Sequence, residues 1–172
     1  MTLRLTTDDQ RRLAAPTESL LSPLADGDVA AWWRGAEARL CALFPGANVL
    51  LAVPEDDHLR FLCDSAPAAP LRLMQELSAV DPRTGLMRSP DPVPTWWYRY
   101  RRVHGIGVWD EPLHVRLLTE RGLPIERSPF RHEGLRPAGL HHYSGITSEH
   151  YPAGELIVTV GYPPHRLSLI HI

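Results

Sequence analysis

The sequence predicts an α+β domain built on an antiparallel sheet. Three observations carry that expectation. One stretch has a clear helical apolar period, and two pairs of sheet-like runs are each joined by a short turn. Several helical segments lie between those pairs, so the strands are linked by hairpins rather than by the long crossovers of a parallel sheet. A chain of 172 residues, 44% apolar and 22% charged, is long enough to bury one real core and is not disordered in composition.

Taken in order, Thr7 followed by Asp8 and Asp9 reads as a helix start, because a short side-chain oxygen caps free N–H groups and carboxylates suit the positive end of the dipole. That helix is expected to reach about Leu21, with Pro16 as its weak point. In the second helix Val29, Trp32, Trp33, Ala36, Leu40, Leu43 and Phe44 recur at helical spacing, with Arg34, Glu37 and Arg39 expected to face away. Pro45-Gly46 stops it. The period then changes: "ANVLLAV" is a continuous apolar run, "HLRFLC" alternates Leu59, Phe61 and Cys63 with His58 and Arg60, and "PEDD" between them makes a hairpin.

A helix from about Pro70 to Val80 carries Leu71, Met74 and Leu77 on one face. The four prolines of "DPRTGLMRSPDPVPT" predict a loop over 81–95. Three helices follow, at "WWYRYRRV", at "EPLHVRLLTERG" and from about Ser128 to Arg136. A closing hairpin pairs "LHHYSGITSE" with "ELIVTVGY", where Leu156, Val158, Val160 and Tyr162 alternate with Ile157, Thr159 and Gly161.

Composition excludes several functions. A net charge of -2, with 18 basic and 20 acidic side chains, provides no field to attract nucleic acid. Cys41 and Cys63 both sit in apolar runs and read as core thiols of a reducing compartment. No signal peptide and no membrane-spanning run is legible, so the expectation is a cytoplasmic protein with no membrane partner. Gly105-Ile106-Gly107 lacks the third glycine of a dinucleotide site, and neither a phosphate loop nor a G-x-S-x-G elbow is present. His132, His141, His142 and His150 cluster in sequence, but their spacing fits no closed metal site, so neither a metal nor a cofactor is expected.

"WWYRYRR" is the most unusual stretch. On a helix Trp96, Tyr100 and Val103 share one face flanked by Arg99 and Arg102, which suits packing into the core under arginine stems. The same aromatics could line a small-molecule pocket, which is mostly apolar with a few fixed polar groups. On that reading the ligand-binding residues are Trp96, Trp97, Tyr100 and Trp109, with Asp110 as an acceptor and Ser144 as a small residue allowing close approach.

Two segments, "TESLLSPLADGDVAAWWRGAEARLCALFPGANVLLAVP" and "RHEGLRPAGLHHYSGI", resemble the N-terminal GAF-like sensor domain of bacterial LuxR-type helix-turn-helix transcriptional regulators. The resemblance spans about residues 7 to 162 and includes "LRPAGL", residues 135–140; the 81–95 segment and "WWYRYRR" depart from the family pattern. It implies a signal-input domain, homodimeric in the intact protein, that reaches DNA through a separate helix-turn-helix absent from this fragment. Two alternatives stay open: a small cytoplasmic enzyme whose His works with Asp110 or Glu133, and a GAF-like module that binds nothing and only dimerises. The final "LSLIHI" back-translates into a transposon mosaic-end sequencing adapter, so residues 1–166 are expected to form the domain, incomplete at its C-terminus, with 167–172 an adapter scar rather than an edge strand.

Overall fold

The computed structural model describes residues 7, 8, 10, 11, 14, 29–81, 83, 84, 86–151 and 154–162. Residues 7, 8, 10, 11 and 14 are helical; the rest of the first expected helix, the centre of the closing turn and the terminal 167–172 lie outside the described residues. Two compact units are present, 1–46 and 47–172.

In the first unit, α1 (Val29–Leu43) buries Trp32, Trp33, Ala36, Glu37 and Leu40. Arg34 and Arg39 are exposed as their spacing predicts, but Glu37 is not: it follows Trp33 by one helical turn and is only 3% exposed.

In the second unit, seven strands form one curled antiparallel sheet in the order β4-β3-β2-β1-β7-β6-β5. The strands are β1 (Asn48–Glu55), β2 (His58–Leu62), β3 (Ala79–Val80), β4 (Met87–Arg88), β5 (Val108–Asp110), β6 (His142–Tyr151) and β7 (Gly154–Tyr162). Both expected hairpins are present, β1 with β2 and β6 with β7, and β1 also pairs with β7 to join them at the centre of the sheet. The β1–β2 turn is closed by Asp56 at φ 50°, a left-handed conformation that Asp tolerates better than most residues.

The helices are α2 (Ala68–Glu76), α3 (Pro92–His104) and α4 (Glu111–Glu120), followed by a 3-10 turn (Ile125–Arg127) and a π-helical turn (Phe130–Leu135). Here the structure departs from the sequence reading. The expected helix over 70–80 ends at Glu76, and Ala79–Val80 instead joins the sheet beside β2 and pairs with Met87–Arg88. The proline-rich 81–95 segment is therefore not all loop. Its last part opens α3, where Pro92 occupies a first-turn position whose N–H would have no helical partner.

Among the described residues of this unit two apolar clusters form. One gathers Leu50, Ala52, Leu59, Phe61, Cys63, Met74, Tyr98, Leu135 and Tyr143 with their neighbours. The other holds Val93, Trp97, Trp109, Leu118 and Ile125.

Candidate functional site

Between the sheet and α3 lies a cavity of about 80 Å³. Its floor follows from strand alternation: Leu50 and Ala52 share one face of β1, Leu50 stands opposite Thr159 of β7, and Ala52 stands opposite Ile157 of β7 and Phe61 of β2. The roof follows from helical spacing, since Pro94, Trp97, Tyr98 and Arg101 of α3 recur at i, i+3, i+4 and i+7.

Asp91 anchors that roof. It caps α3 by accepting from the Val93 N–H at 3.0 Å, and its other oxygen accepts from the Ser128 hydroxyl at 2.6 Å and the Phe130 N–H at 3.0 Å. One buried carboxylate thus ties the start of α3 to the π-helical turn, which contributes Phe130 and Leu135 to the cavity wall. At its other end α3 stops on Gly105, at φ 61°.

Of the sequence-predicted residues, Trp97 and Trp109 line the cavity. Their rings meet edge to face with centroids 6.0 Å apart. Trp96 and Tyr100 are not among its walls; they stack on each other at 4.6 Å on the half-buried flank of the helix. Asp110 is an exposed cap of α4, accepting from the Leu113 N–H at 2.9 Å, and Ser144 is a half-buried sheet residue opposite Asp110 and Val160. The close approach expected at the small pair Ser144-Gly145 occurs at Gly145, where a Cβ would overlap the indole of Trp109 on the adjacent strand. Val103, expected on the packed face, is 71% exposed, because the face that meets the sheet is set by Trp97 and Arg101.

Three polar residues that the sequence reading missed complete the cavity. Arg101 is 2% exposed and holds its guanidinium carbon 4.5 Å from the Trp109 ring and 5.7 Å from that of Tyr98, so aromatic faces take up part of its charge. His114, buried on α4, lies against Trp97 with ring centroids 4.3 Å apart and is hydrogen-bonded through Nδ1 to the Tyr143 hydroxyl. Burial, and then the charges of Arg131 and Arg101, push the His114 pKa down to about 3, while burial pushes that of Tyr143 up. Near neutral pH both are uncharged.

Those states fix the proton between them. If Nδ1 carried the hydrogen, the Tyr143 O–H and His114 Nε2 would both lack partners. With Tyr143 donating to Nδ1, only the Nε2–H is left over, and Nε2 is indeed buried without a hydrogen-bond partner. His114 therefore carries one buried imidazole N–H donor that has no hydrogen-bond partner.

Behind it stands an ionic cluster. Arg131 donates to Glu111 Oε1 at 2.9 Å, and His142 Nδ1 donates to Glu111 Oε2 at 2.9 Å. Glu133, like Asp110, is exposed and not among the cavity walls. Among the described residues no group of three or more His, Cys, Asp or Glu side chains could hold a metal ion, and no helix is long and apolar enough to cross a membrane.

A signal for His114 exists in the sequence: it precedes Leu118 by one helical turn and so shares that residue's buried face. No protein-family model, curated protein or solved structure matches the chain.

Proposed function

We propose that this chain is a GAF-like signal-input domain of a bacterial LuxR-type helix-turn-helix regulator, acting in the cytoplasm, and that the cavity under α3 takes up a small molecule. The observation that carries the reading is the cavity, an almost wholly apolar hollow whose walls include a few polar residues, Arg101, His114 and Tyr143. The antiparallel sheet, with its helices placed between two hairpins, supports the same reading through the order of elements.

The protonation states favour binding over catalysis. A histidine whose pKa lies at about 3 is too weak a base to take protons efficiently near neutrality, yet it is a good neutral hydrogen-bond donor. A ligand seated between α3 and the sheet would favour one placement of that helix. It would bias dimerisation, and through it the DNA affinity of the regulator's helix-turn-helix, by its differential affinity for the two arrangements.

The test uses n-butanol, a probe small enough for the hollow, with tryptophan emission as the readout because Trp97 and Trp109 form its walls. A saturable change is expected in the parent chain. Ala52→Leu, which fills the floor, should abolish that change without altering the circular dichroism spectrum. Sedimentation with and without probe reads any coupled change in association. A linear, non-saturating response equal in both proteins refutes the reading.

A further inference from the structure

Within the small-molecule reading, on which this inference rests, the chemistry of the hollow selects its occupant. Its polar wall residues are spent on the protein itself. The Tyr143 hydroxyl is taken by His114 Nδ1, and His114 Nε2 is buried with essentially no accessible surface. The Arg101 guanidinium lies over the rings of Tyr98 and Trp109, and both Arg101 and Tyr98 have further interactions within the protein. Thr159 of β7, opposite Leu50, adds one hydroxyl, and the surface of the hollow is almost wholly apolar.

A molecule entering such a space leaves its hydration behind and receives dispersion contacts in return. A hydroxyl or a carboxylate on it would be desolvated with little to pair with, which opposes binding. An apolar body gives up no hydrogen bonds, and its transfer out of water is favourable. Size sets a second limit. An apolar cavity of about 150 Å³ accepts the six carbons of benzene, so the present hollow of about 80 Å³ has room for about three or four heavy atoms.

We propose that the occupant is a neutral apolar molecule of about three or four heavy atoms, a short hydrocarbon or halocarbon held by contact alone and carrying no hydrogen-bonding head group.

The full chain is titrated by calorimetry near pH 7 with 1-chloropropane, n-propanol and propionate, which share a three-carbon body and differ in the head group. 1-Chloropropane is expected to half-saturate at a concentration about tenfold or more below that of n-propanol, since a hydroxyl buried without a partner forfeits that much, and propionate should be weaker still. Chain length tests enclosure. Open apolar surface rewards each added methylene about fourfold, whereas 1-chlorohexane should gain far less than that over 1-chloropropane because its extra carbons have no room. Thr159→Val, which removes the hydroxyl and keeps the shape, should leave 1-chloropropane unchanged; a marked weakening would show that the occupant depends on that hydroxyl and would overturn the proposal. Binding of n-propanol or propionate as tight as that of 1-chloropropane overturns the apolar class and leaves the small-molecule reading standing. A steady fourfold gain up to 1-chlorohexane, or saturation by none of the probes, removes the enclosed site and both readings with it. The comparison of ligands on the parent chain decides the matter even if the variant does not fold.

Discussion

Acid should destabilise this protein through His114, and by an amount that the structure sets. In the unfolded chain that imidazole takes a proton near its ordinary value of 6.5, whereas in the fold it does so only at about 3. Between those two values the unfolded state binds more protons, so stability is intact above about pH 6.5 and falls as the pH drops. At about 1.4 kcal/mol per pH unit, the loss reaches about 2 kcal/mol by pH 5 and about 5 kcal/mol at the acid end of the window. The assay is urea unfolding of the parent chain and His114→Gln at several pH values from about 7.5 to about 5, compared at constant slope. At the upper end the parent should be the more stable, because its ring packs on Trp97 and accepts from Tyr143. Toward pH 5 the difference should shrink or reverse by about 2 kcal/mol. The pKa of His141 is also lowered, mainly by burial, with the same sign of effect, but that residue is common to both proteins and cancels in the comparison. Parallel stability curves would refute the argument, since they would mean that His114 is as easily protonated in the fold as out of it.

Removing the anchor of α3 by Asp91→Ala should cost about 2–4 kcal/mol in denaturant unfolding, because it deprives the Val93 N–H, the Ser128 hydroxyl and the Phe130 N–H of their acceptor; Asp91→Asn should recover part of that. Gly145→Ala should cost about 1–3 kcal/mol and change the near-ultraviolet circular dichroism of Trp109, whose indole occupies the place of the new methyl. Glu111→Gln should destabilise by about 3 kcal/mol by leaving the buried Arg131 without its counter-charge, and pairing it with Arg131→Met should restore most of the loss. Cys63, buried in the core beneath the hairpin, should react with a thiol reagent only at the rate of unfolding; prompt labelling of the native protein at that residue would contradict its placement.

The parts of the fold legible in the sequence are those whose stabilising pattern is local. Leu59 and Phe61 alternate, Val158 and Tyr162 alternate, and each hairpin carries its own turn, so β1, β2, β6 and β7 could be read from short windows. β3 and β4 could not. Two residues each, they exist because Ala79 lies beside His58 of β2 and pairs onward with Arg88, a register that no short window around either strand contains. The spacing of Trp96, Tyr100 and Val103 predicts α3 as a helix but points to the wrong face, for an electrostatic reason. The rule that arginine points outward holds when water is its best solvent, and here the faces of Trp109 and Tyr98 are part of what surrounds Arg101 instead.

Arg101, His114 and Tyr143 come from three elements separated along the chain, and nothing in their local sequence announces that they meet. Phenylalanine at 114 would be a better packing residue in a solid apolar core, since burying an unpartnered imidazole N–H opposes folding. The local rules fail together at one place, and that place is the cavity wall. Local rules are broken at functional sites more often than in a plain structural core, and this is why the cavity carries the functional proposal.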